Sequence, residues 1–355
     1  MKKTLLLLGC VLAASAALAG GKEALPEAPE VVVKQVVETT VKKSGPTGYV
    51  DIYYEWRGKS GRHTKQGTGD YLTSNYGTLH AEGELQIDER NLLYLEVENF
   101  HATSKPGAND EWVSEDAHTD FTLEFTHQHD FLGGVACKFI FNNNDGFLES
   151  NRVEYQARWN FAEKLFQNDY VKVTDFTIAP KIGYNWDQDY VYDPTPLTGL
   201  TKDFYYGLDL YSYFELPLNF ELELNVYLTQ HSFNRPLTEG KKKNFTADVE
   251  LYLYNTTKLV DLSDKASLSF YFEGGFDPYT HSRRKIFASD FGGNDRTDGY
   301  TLYALPALRL DYQATDNIGL YLVAGARTEN IHSTASEAQG WVWQPVAQLG
   351  FKVEF

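Results

Sequence analysis

From residue 48 to residue 355, apolar and polar side chains alternate in segment after segment with a period of two. In the first segment Val50, Ile52, Tyr54 and Trp56 share one parity, while Tyr49, Asp51, Tyr53, Glu55 and Arg57 take the other. That period belongs to a β-strand with one greasy and one wet face. Leu79, Ala81, Leu85 and Ile87 then alternate with His80, Glu82, Glu84 and Gln86, and Leu93, Leu95 and Val97 with Glu96 and Glu98. The theme runs on through Phe121–Phe125, Val135–Phe141, Val153–Phe161 and on to the end of the chain. The last stretch, 340–355, puts Trp341, Trp343, Pro345, Ala347, Leu349, Phe351, Val353 and Phe355 on one face. At roughly 3.3 Å per residue, such a face is tall enough to cross a bilayer when tilted.

These segments predict an all-β fold, a single transmembrane antiparallel barrel of about 14 strands, within a range of about 12 to 16. Connections alternate in kind. Odd-numbered ones are longer and rich in Gly, Asn, Asp and Lys, as in 277–298, whereas 88–91 and 314–317 are short turns. Long outer loops facing short periplasmic turns give the same asymmetry and place both termini in the periplasm. Residues 161–174 and 255–265 depart from it, reading as unusually long periplasmic turns. Trp56, Trp186, Tyr300, Trp341 and Trp343 are expected in an outer aromatic girdle, and Trp159, Phe214, Phe220, Tyr312 and Phe355 in an inner one.

Composition adds an export signal. Lys2 and Lys3, an apolar run from Leu5, and Ala17-Leu18-Ala19 read as a signal peptide over 1–19, cleaved before Gly20. Cys10 offers a lipoprotein alternative, but the apolar run continues past it to Ala19. Cleavage leaves Cys137 as the one cysteine, so stability cannot come from an internal disulfide. Residues 20–47 have linker composition and are expected to form a mobile periplasmic extension, with the barrel spanning 48–355. Beyond the signal, no stretch approaches a membrane-spanning apolar helix. The net charge of −17, carried further negative by loss of Lys2 and Lys3, disfavours nucleic acid as a partner.

Chemistry concentrates on the wet parity. Asp51, Glu55, Glu82, Glu84, Glu96, Glu98, Asp120, Glu124, Glu221, Glu223, Asp248 and Glu250 have the inward parity, as do the bases Arg57, Lys138, Arg152, Arg158, Lys181, Arg309, Arg327 and Lys352. Charges facing lipid would each cost several kcal/mol, so these side chains must meet water or one another. Eight strands already nearly fill their interior with side chains; a wider barrel leaves an aqueous channel unless ion pairs plug it. Arg283, Arg284 and Lys285 lie in the longest outer connection and form a candidate constriction if that loop folds inward; the other reading is a solvated loop. His127 and His129 share one side of an extended segment but lack a third ligand nearby, and no nucleophile motif, phosphate loop or paired CxxC occurs. No enzyme, cofactor or metal is expected.

The chain resembles the FomA-type major outer-membrane porins of fusobacteria. The likeness rests on Gly48, Val50, Asp51, Tyr54, Trp56 and Gly58, then Leu216, Pro217, Asn219 and Phe220, then Tyr300, Leu302, Pro306, Thr315, Asp316 and Gly325. Its most specific part is Trp341-x-Trp343-Gln344-Pro345 with Gly350, Lys352, Val353 and Phe355. The resemblance implies a water-filled general diffusion channel in the outer membrane, a homotrimer in lipid, and loops able to bind host or bacterial surface ligands. It also implies that Phe355 is the signal read by the barrel-assembly machinery. The acidic excess on the wall adds a modest cation preference. The alternative is a surface adhesin or structural barrel with a blocked lumen.

Overall fold

The computed structural model describes residues 45–59, 61–62, 75–103, 118–130, 134–144, 150–165, 167–168, 170–188, 201–236, 240–285, 287–288, 294–330 and 341–355. The expected signal peptide and nearly all of the expected extension lie outside the described residues. Fourteen long strands form the fold. They are β1 (Thr47–Arg57), β2 (Tyr76–Gln86), β3 (Asn91–Ala102), β4 (His118–Gln128), β5 (Ala136–Asn144), β6 (Ser150–Asn160) and β7 (Lys172–Gln188), followed by β8 (Thr201–Leu216), β9 (Phe220–Phe233), β10 (Lys243–Ser263), β11 (Ala266–Ser282), β12 (Asp298–Thr315), β13 (Ile318–Asn330) and β14 (Trp341–Glu354). Each pairs antiparallel with its sequence neighbour, and β14 returns to β1, from Tyr49↔Glu354 to Arg57↔Val346. Gly48 and Phe355 finish the closure by exchanging two backbone hydrogen bonds of 3.0 Å. Closure leaves no open sheet edge, which is what a β-structure in hydrocarbon requires.

The period-two pattern sorts the side chains as it must. On β14, Leu349 is 64 % exposed and Phe351 39 %, while the intervening parity holds Val342, Gln344 and Val346 at 1–3 %. Ile182, Tyr206, Phe270, Leu308 and Leu320 are likewise exposed large apolar side chains on the outward parity. A continuous apolar belt of this size is unfavourable in water and favourable against lipid. The two aromatic groups sit at opposite strand ends. Trp341 pairs with Asn330 and Trp343 with Thr328 beside a long connection, whereas Phe220 pairs with Leu216 at a tight turn and Phe355 sits at Gly48.

Turn chemistry sets the short ends. In 88–90 the Asp88 carboxylate accepts the backbone N–H groups of Arg90 (2.8 Å) and Asn91 (2.9 Å), which together with the Asn91 amide hold its pKa below the usual carboxylate range. At 217–219, Leu218 (φ 62°) and Asn219 (φ 59°) are both left-handed, the conformation that fits a two-residue hairpin to the strand twist.

Two boundaries differ from the sequence reading. The expected long turn over 255–265 is strand: β10 continues to Ser263, and only Asp264 and Lys265 turn the chain into β11. Register shifts between Lys258 and Val260 and between Asp261 and Ser263 explain the error. Each shift sets two residues against one, so parity slips and the period of two is lost. Similarly, β11 runs past another shift at Phe276/Tyr279 to Ser282, shortening the loop expected over 277–298 to 283–297. Gly275 lies at such a shift with φ 156°; a Cβ there would stand 1.7 Å from the Leu251 carbonyl oxygen.

Candidate functional site

The site is the inner wall of the ring. Its charges fall into sectors set by strand order. Strands β2–β4 turn inward Glu82, Glu84, Glu96, Glu98, Asp120 and Glu124, and β8–β11 turn inward Asp203, Asp209, Glu221, Glu223, Asp248, Glu250 and Glu273. Between them β5–β7 carry Lys138, Arg152, Arg158 and Lys181 beside Glu154, and the run β12–β14 and β1 carries Arg309, Arg327, Lys352 and Arg57 beside Asp311, Glu329, Glu354, Asp51 and Glu55. In a ring of fourteen the two acidic sectors are therefore on opposite sides, separated by a basic sector on one side and a charge-balanced one on the other.

The bases are held by neighbours rather than left projecting. Four of them pair with an acid two residues along the same strand face: Arg309–Asp311 at 2.8 Å, Arg327–Glu329 at 2.6 Å, Lys352–Glu354 at 3.7 Å, and Arg57–Glu55 in close contact. Tyrosine rings of nearby strands support the cations: Arg327 lies 3.8 Å from the Tyr303 centroid, Arg158 4.3 Å from Tyr211, Lys352 4.3 Å from Tyr49 and Arg309 4.5 Å from Tyr321. Wall phenols, Tyr303 and Tyr321 among them, also donate to wall carboxylates. Tyr321 reaches Asp51 at 2.9 Å, Tyr227 reaches Glu250 at 2.7 Å, Tyr205 reaches Glu154 at 2.7 Å, and Tyr303 and Tyr271 both reach Glu273, at 2.5 and 2.6 Å. Tyr303 and Tyr321 thus each link a base on one side to an acid on the other, fixing rotamers around the wall.

A cavity of about 580 Å³ opens along β4–β11, lined among others by Glu124, Lys138, Arg152, Glu154, Lys181, Asp209, Asp248 and Glu250. Lys181 and Asp209 form its most deeply buried pair, 2.7 Å apart, with Gln156 and Tyr211 also donating to Asp209. The Arg152 Nε is buried there without an acceptor among the described residues. A second cavity of about 210 Å³, lined by Asp51, Arg309, Tyr321, Lys352 and Glu354, lies between β12–β14 and β1. Beside the second cavity, Ala307, Tyr321 and Val323 form a small apolar cluster inside the ring, against which Tyr53 and Tyr271 pack.

All sixteen expected wall residues sit on the parity opposite the exposed apolar side chains of their strands. Glu124 contacts Lys138, Asp248 accepts from Thr280 (2.5 Å), Glu223 from Tyr254 (3.2 Å), Glu221 contacts Tyr213, and Arg158 donates to the Gln156 carbonyl oxygen. Glu82↔Glu96 and Glu98↔Asp120 are direct cross-strand acid pairs, and Glu84 lies between Tyr49 and Tyr94. The Arg283 N–H continues the β10–β11 ladder to the Phe245 carbonyl at 2.8 Å, and the Arg284 side chain donates to the Lys243 carbonyl at 3.1 Å. Both are tied to the end of the ladder; Lys285 is exposed. The inward tyrosines, with Asp203, Asp209 and Glu273, were not among the expected site residues, although their parity already marked them.

Neither any protein-family model nor any curated protein sequence matches the chain. Among solved structures it is similar to a bacterial polysaccharide outer membrane secretin, at 8 % identity over 87 % of this chain and 98 % of that one, with a TM-score of 0.37. It is also similar to OmpT, an outer membrane protein of Vibrio cholerae (11 % identity, 87 % and 99 % covered, TM-score 0.33) and to the NanC porin (8 %, 66 % and 94 %, 0.30).

Proposed function

We propose that the chain is an outer-membrane porin, a water-filled diffusion channel for ions and small hydrophilic solutes with a modest preference for cations. The observation that carries this reading is a closed fourteen-strand ring with a lipid-compatible belt outside and an ionised wall inside. Fourteen strands enclose more space than their side chains fill. Two acidic sectors and internally paired bases give the wall a negative excess, and low-dielectric surroundings focus its field. On this reading Phe355 serves the assembly machinery, and the FomA-type resemblance, including a homotrimer, describes the family. No catalytic role is part of it.

The second reading, a structural or adhesive barrel with a blocked lumen, is favoured by one observation: the ion pairs and the apolar cluster of Ala307, Tyr321 and Val323 occupy part of the interior. Planar-bilayer recording of the purified protein separates the two. Discrete conductance steps support the porin; protein inserted without steps supports the blocked barrel.

A further inference from the structure

Cross-strand carboxylates on β2 and β3 make a costly arrangement. Glu82 stands directly opposite Glu96, and its other neighbour in the row is Asp51; one row along, His80 stands opposite Glu98, which in turn faces Asp120. Like charges directly opposite one another destabilise a sheet. Into this group projects the His80 imidazole, only 5 % exposed and stacked on Tyr53 with ring centroids 4.5 Å apart. Its Nδ1 lies 2.8 Å from Glu98, a contact that fixes the ring and directs Nε2 at the other two acids. From Nε2, a Glu82 oxygen is 3.6 Å away and a Glu96 oxygen 3.8 Å.

Those two distances are too long for good hydrogen bonds. They are close to the separation of two ligands on one ion: with bonds of about 2.1 Å and tetrahedral angles, neighbouring donors sit roughly 3.4 Å apart. Ligand atoms of His80, Glu96 and Glu98 all fall within 4.8 Å of one another. We propose that His80, Glu96 and Glu98 bind a divalent transition-metal cation on the lumen wall, with Glu82 close beside them at 3.6 Å from Nε2. The Tyr53 ring stacked on the imidazole holds it in place for that role. One nitrogen and carboxylate oxygens suit Zn²⁺, whereas Mg²⁺ prefers an all-oxygen shell. The cation neutralises the Glu82–Glu96 opposition and anchors an otherwise repulsive patch. This inference needs only the inward placement of these residues and holds whether or not the lumen conducts.

The test is Zn²⁺ titration of the full-length protein folded in detergent, against a chromophoric zinc indicator, with Mg²⁺ as comparator. Wild type is expected to take up Zn²⁺ at one site per chain that Mg²⁺ does not displace at equal concentration. His80→Ala, Glu96→Gln and Glu98→Gln should each weaken that site by roughly 100-fold or more. His127→Ala, which removes the imidazole beside His129 at a distant turn, should leave it unchanged. Circular dichroism checks folding, and the isosteric Glu96→Gln carries the comparison should His80→Ala misfold. Wild type without such a site, wild-type affinity in Glu96→Gln, or equal affinity for Mg²⁺ would each overturn the proposal.

Discussion

Replacing Lys181 with methionine strips the cation from the most deeply buried ion pair of the wall. The Asp209 side chain is 2 % exposed and that of Lys181 9 %, with 2.7 Å between charged atoms. At an effective dielectric of 20 their attraction is about 6 kcal/mol, set against the desolvation of both groups. The net worth of the pair is therefore small, but removing one partner leaves a buried carboxylate supported only by Gln156 and Tyr211. Lys181→Met should cost about 3–5 kcal/mol. Lys181→Met combined with Asp209→Leu should recover most of that, since no lone charge remains. Lys258→Met offers the contrast: its partner Asp261 is 63 % exposed near the end of β10, so the loss should be within about 1 kcal/mol. Urea unfolding of protein folded into phospholipid vesicles, followed by tryptophan fluorescence, reads all three. A Lys181→Met cost below about 1 kcal/mol would show that water already solvates the pair and refute the reasoning.

Leu218 holds a left-handed backbone that suits glycine or asparagine, so Leu218→Asn should stabilise the barrel by about 0.5–1 kcal/mol in the same unfolding assay. Gly275→Ala drives a Cβ into the Leu251 carbonyl and should cost more than about 1 kcal/mol; unchanged stability would mean that the bulge is misplaced. Deleting Phe355 removes both hydrogen bonds to Gly48, whereas Phe355→Asp keeps the backbone and loses only the outward ring. Membrane fractionation should find both variants depleted from the outer membrane; depletion of the deletion alone would assign the effect to closure rather than to the aromatic signal. Changing Arg283, Arg284 and Lys285 together to Ser should leave ion selectivity unaltered in reversal-potential recordings, because the first two are tied to the ladder end.

The outward faces were legible because lipid imposes a single demand on every second residue, from Val50 to Phe355. Closure was legible in the same way, since an even run of such strands has one arrangement without edges. Strand ends near Ser263 and Ser282 were not, because bulges break the parity on which the reading depends. On the wall, parity identified the charges but not their partners. Arg327 finds Glu329 on its own strand, whereas Asp51 finds Tyr321 two strands away across the closure, a contact set by register alone. The His80 cluster was hidden for that reason too: its acids come from two strands and meet only through the β2–β3 pairing.

A water-filled, acid-rich lumen is tested most directly by the zero-current potential of single channels under a salt gradient. Such a lumen predicts a potential of cation-selective sign near 0.1 M salt. It should shrink toward zero near 1 M as the Debye length falls from about 10 to about 3 Å. A membrane that contains the folded protein yet stays silent, or a potential of anion-selective sign at both concentrations, would contradict it.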